Sequence, residues 1–287
     1  DYWNGQREGE RSLTGFDWKK HPAQGTGPWM VTDRSSNAIT MSPNADYWQE
    51  PPHFDQLVLA FSESQDDRIG RWVGGEGDLL WPISPLDIPN LNGTPARLFA
   101  SAGAQVSFAA FNFENLAREQ FPQLLTDTRV REALNLAIDR DRYATDVFLG
   151  LIDQDAAGTI AQPWANDPSA TNPRRDIGKA KQLLTEAGFL DIDGDGKLED
   201  PTGNPFTLRV IVRDDANPVS IELLNGLVTD FADIGATLTV DKLGPAEFFD
   251  TWANTRAWDL IAYSYALYPG FTDYDLYGSN WDIQINP

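Results

Sequence analysis

The sequence predicts an α/β fold, because segments with the two-residue period of strands alternate with segments that have the three- to four-residue period of helices. The alternation is clearest in the C-terminal half of the 287 residues. The elements predicted there are, in chain order, a helix after Asp127, helix 142–149, helix 176–187, strand 206–212, helix 218–234, strand 236–242, helix 246–254 and strand 258–263.

The helix after Asp127 has one apolar face. Asp127 is placed to cap it, since a carboxylate before the first turn accepts hydrogen bonds from free backbone N–H groups. Gly188 is expected to stop helix 176–187. The apolar residues of the first helix recur at three- and four-residue spacing, at Val130, Ala133, Leu134, Ala137 and Ile138.

The N-terminal third is predicted to be rich in strands. Segments 29–31 and 38–41 contain alternating apolar positions and flank the turn-like sequence 33–37, which predicts a hairpin. The remaining elements predicted in this part are strands 56–61, 78–81 and 105–113 and a short amphipathic stretch at 66–73.

The composition excludes several classes of function. The chain has 43 acidic and 22 basic residues and a net charge of −21, which opposes binding to nucleic acids and to anionic membrane surfaces. It has no cysteine, so disulfides, thiolate catalysis and cysteine-ligated metals are excluded. His21 and His53 each lie beside a proline in polar sequence, where surface positions are expected.

Several motifs, in the same order, resemble those of the family-5 extracellular solute-binding proteins, the group that contains dipeptide- and oligopeptide-binding proteins. Their register along most of the chain makes the resemblance specific. The motifs are Gly25–Trp29, Asn44–Trp48, Gly77–Leu79, Phe111–Asn112, Asp127–Arg140, Lys179–Phe189 and Asp193–Gly196.

The resemblance implies a two-lobed α/β fold of the periplasmic-binding-protein kind (type II, in its extended family-5 form), with the ligand held between the lobes. Residues 1–106 would then belong to lobe I and residues 107–287 to lobe II, joined near the crossing strand at Phe111 and Asn112. Family members are longer at both ends, so the 287 residues are expected to be the central portion of a longer protein.

The resemblance also implies a function. The protein is expected to bind an oligopeptide or oligosaccharide outside the cytoplasmic membrane, in the periplasm or as a lipoprotein, and to deliver it as a monomer to the permease of an ABC transporter. It is not expected to be an enzyme, because no nucleophile elbow, phosphate-binding loop or histidine-based zinc motif is present. The alternatives are a calcium-organised extracellular module and, less favoured, a glycoside hydrolase with two carboxylates across a cleft.

The ligand-binding candidates are residues that lie where the family places its cleft. Peptide-binding relatives commonly hold the peptide amine with an aspartate that here aligns with Tyr268, or with Asp273 if the alignment slips. A tyrosine serves a free ammonium poorly, whereas tyrosine faces and hydroxyls suit a neutral polyhydroxylated ligand. The candidates are Trp81, Phe111, Asn112, Trp164, Tyr263, Ser264, Tyr265 and Tyr268.

Residues 191–199 reproduce the first nine positions of an EF-hand-like loop. Apart from calcium in this loop, no cofactor is expected. The twelfth position, normally a bidentate glutamate, is Thr202, although Asp200 is a substitute; without metal the segment is an acidic turn. The candidate calcium ligands are Asp191, Asp193, Asp195, the Lys197 carbonyl and Glu199.

Overall fold

The computed structural model describes residues 25–100, 105–113, 115, 117, 124–152, 169 and 171–266. The chain divides into two compact units, Asp1–Ile83 and Ser84–Pro287. The division between the units, at 83/84, comes earlier in the chain than the lobe boundary expected at 106/107. The expected boundary concerns the intact two-lobed protein and stays a prediction. Among the described residues, no helix combines the length and apolar character that crossing a bilayer requires.

The first unit contains a three-stranded antiparallel sheet in the order β1-β2-β3, formed by Trp29–Arg34, Ala38–Pro43 and Leu57–Ala60. The predicted hairpin between the first two strands is confirmed. At its turn, the Ser35 N–H donates to the Ala38 carbonyl at 2.9 Å. Helix α1 (Gln65–Val73) follows, with the Ser64 hydroxyl accepting the Asp67 N–H.

The strand expected at 78–81 does not form, and that prediction is wrong. Gly77, immediately before it, has a φ of 108°, which is outside the extended region, and Pro82 after it has no N–H to donate. The Trp81 side chain is 80% exposed. A short segment with three apolar residues, Leu79, Leu80 and Trp81, remains irregular when it has no partner strand.

The second unit is built on a four-stranded sheet in the order β4-β7-β5-β6. The central strand β5 runs parallel to β6 and β7, and β4 runs antiparallel to β7. The α/β prediction for this part of the chain is confirmed. The strands are β4 (Gln105–Phe111), β5 (Thr207–Arg213), β6 (Thr237–Leu243) and β7 (Leu260–Ala266).

The helices of the second unit begin and end close to the predicted positions. Asp127 accepts the Arg129 N–H at 2.8 Å, which confirms it as the cap of α2. Gly188, after α4, has the positive φ that a helix stop requires. The α-helices are α2 (Thr128–Ala137), α3 (Arg140–Arg142), α4 (Ile177–Glu186), α5 (Pro218–Ala232) and α6 (Pro245–Phe249).

The helices predicted at 142–149 and 246–254 differ in form from the prediction. Each is a short α-helical segment that continues into π-helix, at Tyr143–Val147 and at Asp250–Thr255. The first ends where Leu149 and Gly150 both adopt positive φ. Periodicity alone does not distinguish a π turn from an α turn. The second unit also has 3₁₀ turns at Pro85–Leu91 and Leu124–Thr126.

The buried side chains of β5 belong to two apolar clusters, one on each face of the sheet. Leu208, Val210 and Val212 face the larger cluster, which includes apolar residues of α2, α4 and α5. Ile211 faces a smaller cluster with Phe248 from α6 and residues near the start of β7. The sheet is therefore covered on both faces, as expected where parallel strands are buried.

Asp230 of α5, only 1% exposed, joins this helix to residues 139–143. Its carboxylate accepts the Tyr143 hydroxyl at 2.6 Å and an Arg142 guanidinium N–H at 2.8 Å. It also accepts the Asp139 N–H at 3.1 Å. Burial and the bond to Asp230 raise the pKa of Tyr143, so the phenol keeps its proton for donation.

The Tyr143 ring lies against Gly226 of α5. A β-carbon at Gly226 would lie 2.6 Å from the Tyr143 oxygen, so the ring would have to move away from Asp230. We predict that Gly226→Ala lowers the free energy of unfolding by about 2–3 kcal/mol, since it combines overpacking with a strained buried bond. Urea unfolding measures the change.

Gly178→Ala is the matched control. A β-carbon there meets no atom closer than 3.5 Å, so the change should be neutral or slightly stabilising within α4. Equal stabilities for the two variants would contradict the packing of Tyr143 on Gly226.

Candidate ligand-binding site

Only the first part of strand β7 has a partner strand on each side, and the rest of the strand has a partner on one side. It pairs with β5 at Leu260 and Ile261, but with β4 along its whole length to Ala266. Residues 105–109 and 262–266 thus form a two-stranded extension, here called the ribbon. The ribbon begins at the carboxyl ends of the parallel strands, the edge where open α/β sheets commonly bind ligands.

Tyr263 and Ser264, two of the predicted ligand-binding residues, lie on the ribbon. Tyr263 is opposite Phe108 and its side chain is 42% exposed. The Ser264 hydroxyl oxygen lies 2.9 Å from that of Ser107, which cross-links the two strands. The ribbon thus offers an aromatic stacking surface on one face and hydroxyl groups for hydrogen bonding on the other.

Arg213 and Asp215 lie at the carboxyl end of β5. The Arg213 guanidinium donates two hydrogen bonds to Asp215, from Nε at 2.7 Å and from Nη2 at 2.5 Å. The pair raises the pKa of Arg213 and lowers the pKa of Asp215. Arg213 is the last residue of β5, the strand that pairs with β7 at Leu260 and Ile261, so the pair lies at the end of the sheet from which the ribbon leaves. The two hydrogen bonds to Asp215 thus neutralise the charge of Arg213 at the carboxyl edge of the sheet.

Phe111 and Asn112 lie at the opposite end of β4, where the ribbon's strands enter the sheet. Phe111 packs against the larger apolar cluster. The Asn112 amide nitrogen is buried and donates to the Trp258 carbonyl at 2.8 Å and to the Arg256 carbonyl at 3.2 Å. These contacts hold the segment before β7; a ligand contact by either residue stays a prediction.

Tyr263 and Ser264 therefore lie next to each other on the ribbon with side chains on its opposite faces, whereas Phe111 and Asn112 lie at the other end of β4, beside Leu260 and Asp259. Trp81 belongs to the first unit. Tyr265 is described by its backbone alone, which pairs with Val106. The predicted residues Trp164 and Tyr268, and the alternative Asp273, lie outside the described residues.

The sequence reasoning missed the polar residues that follow the apolar run of β5. Arg213 follows Val212 directly and Asp215 comes two residues later; polar residues at the carboxyl end of a buried strand are a signal of a site. Ser107 had no such signal, since its role depends on the register of β4 against β7.

The EF-hand-like loop, residues 191–199, forms a compact acidic turn outside the sheet. Carboxylate oxygens of Asp191, Asp193 and Asp195 all lie within 4.8 Å of one another, and the three side chains are exposed. Asp191 accepts the N–H groups of Gly194 at 2.7 Å and of Gly196 at 3.1 Å. These are oxygen ligands of the type that calcium prefers, and calcium binding here stays a proposal.

Two other positions of the loop are already hydrogen-bonded within the protein. Glu199 accepts the Ile192 N–H at 2.8 Å, which closes the loop. One oxygen of the buried Asp200 carboxylate accepts the Thr202 hydroxyl at 2.6 Å and the backbone N–H groups of Thr202 and Asn204. Asp200 thus organises the next turn, and this oxygen does not replace the missing glutamate.

We predict that, if the loop binds calcium, EDTA lowers the melting temperature of the protein, because a metal bound to the folded state stabilises it. The double variant Asp193→Asn, Asp195→Asn should melt at the same temperature with and without EDTA. Magnesium-saturated EDTA is the control. Equal melting temperatures for the untreated and EDTA-treated parent protein would contradict calcium binding and identify the loop as an acidic turn without metal.

Burial raises the pKa of Asp200, but the hydrogen bonds from Thr202 and Asn204 outweigh it, so the pKa lies below its usual value. A lowered folded-state pKa stabilises the fold above the unfolded-state pKa of about 4, and this contribution is lost as pH falls through the folded-state value. We predict that Asp200→Asn destabilises the protein at pH 7 and that the difference from the parent narrows towards pH 2. Thermal melts across this range measure it; a pH-independent difference would contradict the assignment.

Comparison with known proteins agrees with this architecture. The solved structure of NikA from Brucella suis in complex with Fe(III)-EDTA has a TM-score of 0.72 and 21% identity, over 84% of this chain and 48% of that one. The mannohexaose-bound oligopeptide ABC transporter periplasmic oligopeptide-binding protein of Thermotoga maritima has a TM-score of 0.57 and 20% identity, over 84% and 46%. The fold is that of the two-lobed periplasmic binding proteins.

The sequence defines the family directly. The model of the bacterial extracellular solute-binding proteins, family 5 Middle, matches residues 10–283, and the chain belongs to this family. Heme-binding protein A of Haemophilus influenzae is 26% identical over 242 residues, which are 81% of this chain and 38% of that protein. The chain thus spans less than half the length of this relative. The family resemblance expected from the motifs is confirmed.

Proposed function

We propose that the chain belongs to the solute-binding component of an ABC importer. It binds its ligand outside the cytoplasmic membrane, as a monomer and without chemical conversion, and delivers it to the permease. The observation that carries the proposal is the family match across residues 10–283. The polar and aromatic edge at Tyr263, Ser264 and Arg213 supports it, because it offers contacts for a polar ligand at the expected end of the sheet.

We further propose that the ligand is an oligopeptide or an oligosaccharide. The Thermotoga maritima protein, of the same fold, is described both as oligopeptide-binding and as bound to mannohexaose, so this fold accommodates both classes. The exposed Tyr263 ring favours stacking on a sugar face. The charge of Arg213 is already balanced by Asp215, so a peptide carboxylate would have to displace an intramolecular partner.

The experiment is mass spectrometry of the ligand that co-purifies with the protein, followed by calorimetric titration of the identified compound. Incubation of protein and ligand for hours, with chromatographic detection of products, tests for chemical conversion. The proposal predicts binding and recovery of unchanged ligand. Conversion at enzyme-like rates would contradict it.

Two variants distinguish the ligand classes. For an oligosaccharide, Tyr263→Ala should weaken binding about tenfold or more through lost stacking, while Tyr263→Phe keeps most of the affinity. For a peptide, Asp273→Asn should weaken binding by removing the partner of the ammonium group. A bound sugar that is insensitive to Tyr263→Ala would exclude this tyrosine from the site.

A further inference from the structure

The ribbon is joined to the sheet at a small number of points. Among the described strands, β4 is an edge strand that pairs with β7 alone, so within this part of the chain the ribbon is held to the sheet through β7. Strand β7 pairs with β5 at two positions, Val210 with Leu260 and Ile211 with Ile261. The direction in which the ribbon leaves the sheet therefore depends on what fixes β7 at its start.

Asp259, the residue before β7, is 2% exposed and forms hydrogen bonds both to β5 and to the segment that follows β4. Its backbone N–H donates to the Arg209 carbonyl at 2.9 Å, and its carbonyl accepts the Asn112 N–H at 2.8 Å. Its carboxylate accepts the Arg209 N–H at 2.8 Å and the Asn115 side-chain amide at 2.9 Å. The carboxylate thus extends the β5–β7 ladder by one step and also binds the segment after β4.

Asn112 completes the arrangement from the other strand. Its side-chain amide donates to the carbonyls of Trp258 and Arg256, on the chain that leads into β7. Asn115 uses its second polar atom as well, since its oxygen accepts the Ala117 N–H at 3.1 Å. These three buried residues, Asn112, Asn115 and Asp259, are here called the clamp. They join the start of β7 to β5 on one side and to the end of β4 on the other.

We propose that the clamp positions the ligand-binding edge: by fixing the start of β7 it sets the register and direction of the ribbon that carries Tyr263 and Ser264. This inference rests on the proposed function for the role of that edge. Tyr263 follows Asp259 by four residues, about 13 Å along an extended strand. The clamp residues are thus positioning residues that act through the ribbon.

The test compares Asp259→Asn with Asp230→Asn in the full 287-residue chain. In Asp259→Asn, one carboxylate oxygen becomes an NH₂ group that faces a donor, either the Arg209 N–H or the Asn115 amide. Asp230→Asn is the matched control, since it alters a buried, multiply bonded aspartate in the helical layer. Amide hydrogen exchange by mass spectrometry and the ¹⁹F signal of 3-fluorotyrosine at position 263 are measured for both variants.

We expect exchange in segments 105–111 and 260–266 to accelerate about tenfold in Asp259→Asn beyond the effect of global destabilisation, with a shifted or broadened ¹⁹F signal. Asp230→Asn should leave both readouts of the ribbon as in the parent chain. If Asp259→Asn does not fold, Asn115→Ala removes one clamp bond and is expected to give the same changes at smaller amplitude. Parent-like exchange and ¹⁹F signal in the clamp variant would overturn the proposal.

A binding arm separates failure of this inference from failure of the proposed function. Maltotriose and trialanine are titrated into the parent, Asp259→Asn, Tyr263→Ala and the double variant. For a probe that binds the parent, the two effects should be non-additive, because both act through Tyr263; additive effects would overturn the positioning role. If neither probe binds, the proposed ligand classes lose support, while the exchange and ¹⁹F results still decide the role of the clamp.

Discussion

Burial of β5 on both faces is the constraint on which the second unit depends. The buried side chains of this parallel central strand belong to two apolar clusters, Leu208, Val210 and Val212 to one and Ile211 to the other. Val210 faces the helices α2, α4 and α5, and Ile211 faces α6 and the start of β7. The first polar side chain beyond this apolar run is Arg213, at the carboxyl end, and the candidate site begins there.

The ribbon's exposed side chains have a different role from the core. Ile261 and Ala262 still pack against the apolar clusters, but Tyr263, one residue further, is largely outside them. A large aromatic side chain left half-exposed on a cross-linked ribbon contributes less to folding than a buried one and remains available to a ligand. On the proposed function, stability and binding depend on different stretches of the same strand, and the clamp lies where the ribbon joins the core.

Much of the second unit was predictable, because its strands and helices have strong local patterns and local caps such as Asp127. The family motifs also identified the fold. The clamp was not predictable, since Asn112 and Asp259 are far apart in sequence and their contacts depend on strand register. Tyr263 and Ser264 were predicted from the place of the cleft in the family, and their contact with a ligand stays a prediction. The segment 78–81 gave a wrong strand prediction, since a strand also needs a partner.

The central claim is that the ligand binds at the carboxyl edge formed by β5 and the ribbon. Its most direct test is amide hydrogen exchange of the ligand-loaded protein against protein stripped of ligand by unfolding and refolding. The account predicts that loading protects segments 105–113, 213–217 and 260–266, with little change in α4. Protection confined to other segments, with the ribbon unaffected, would contradict it.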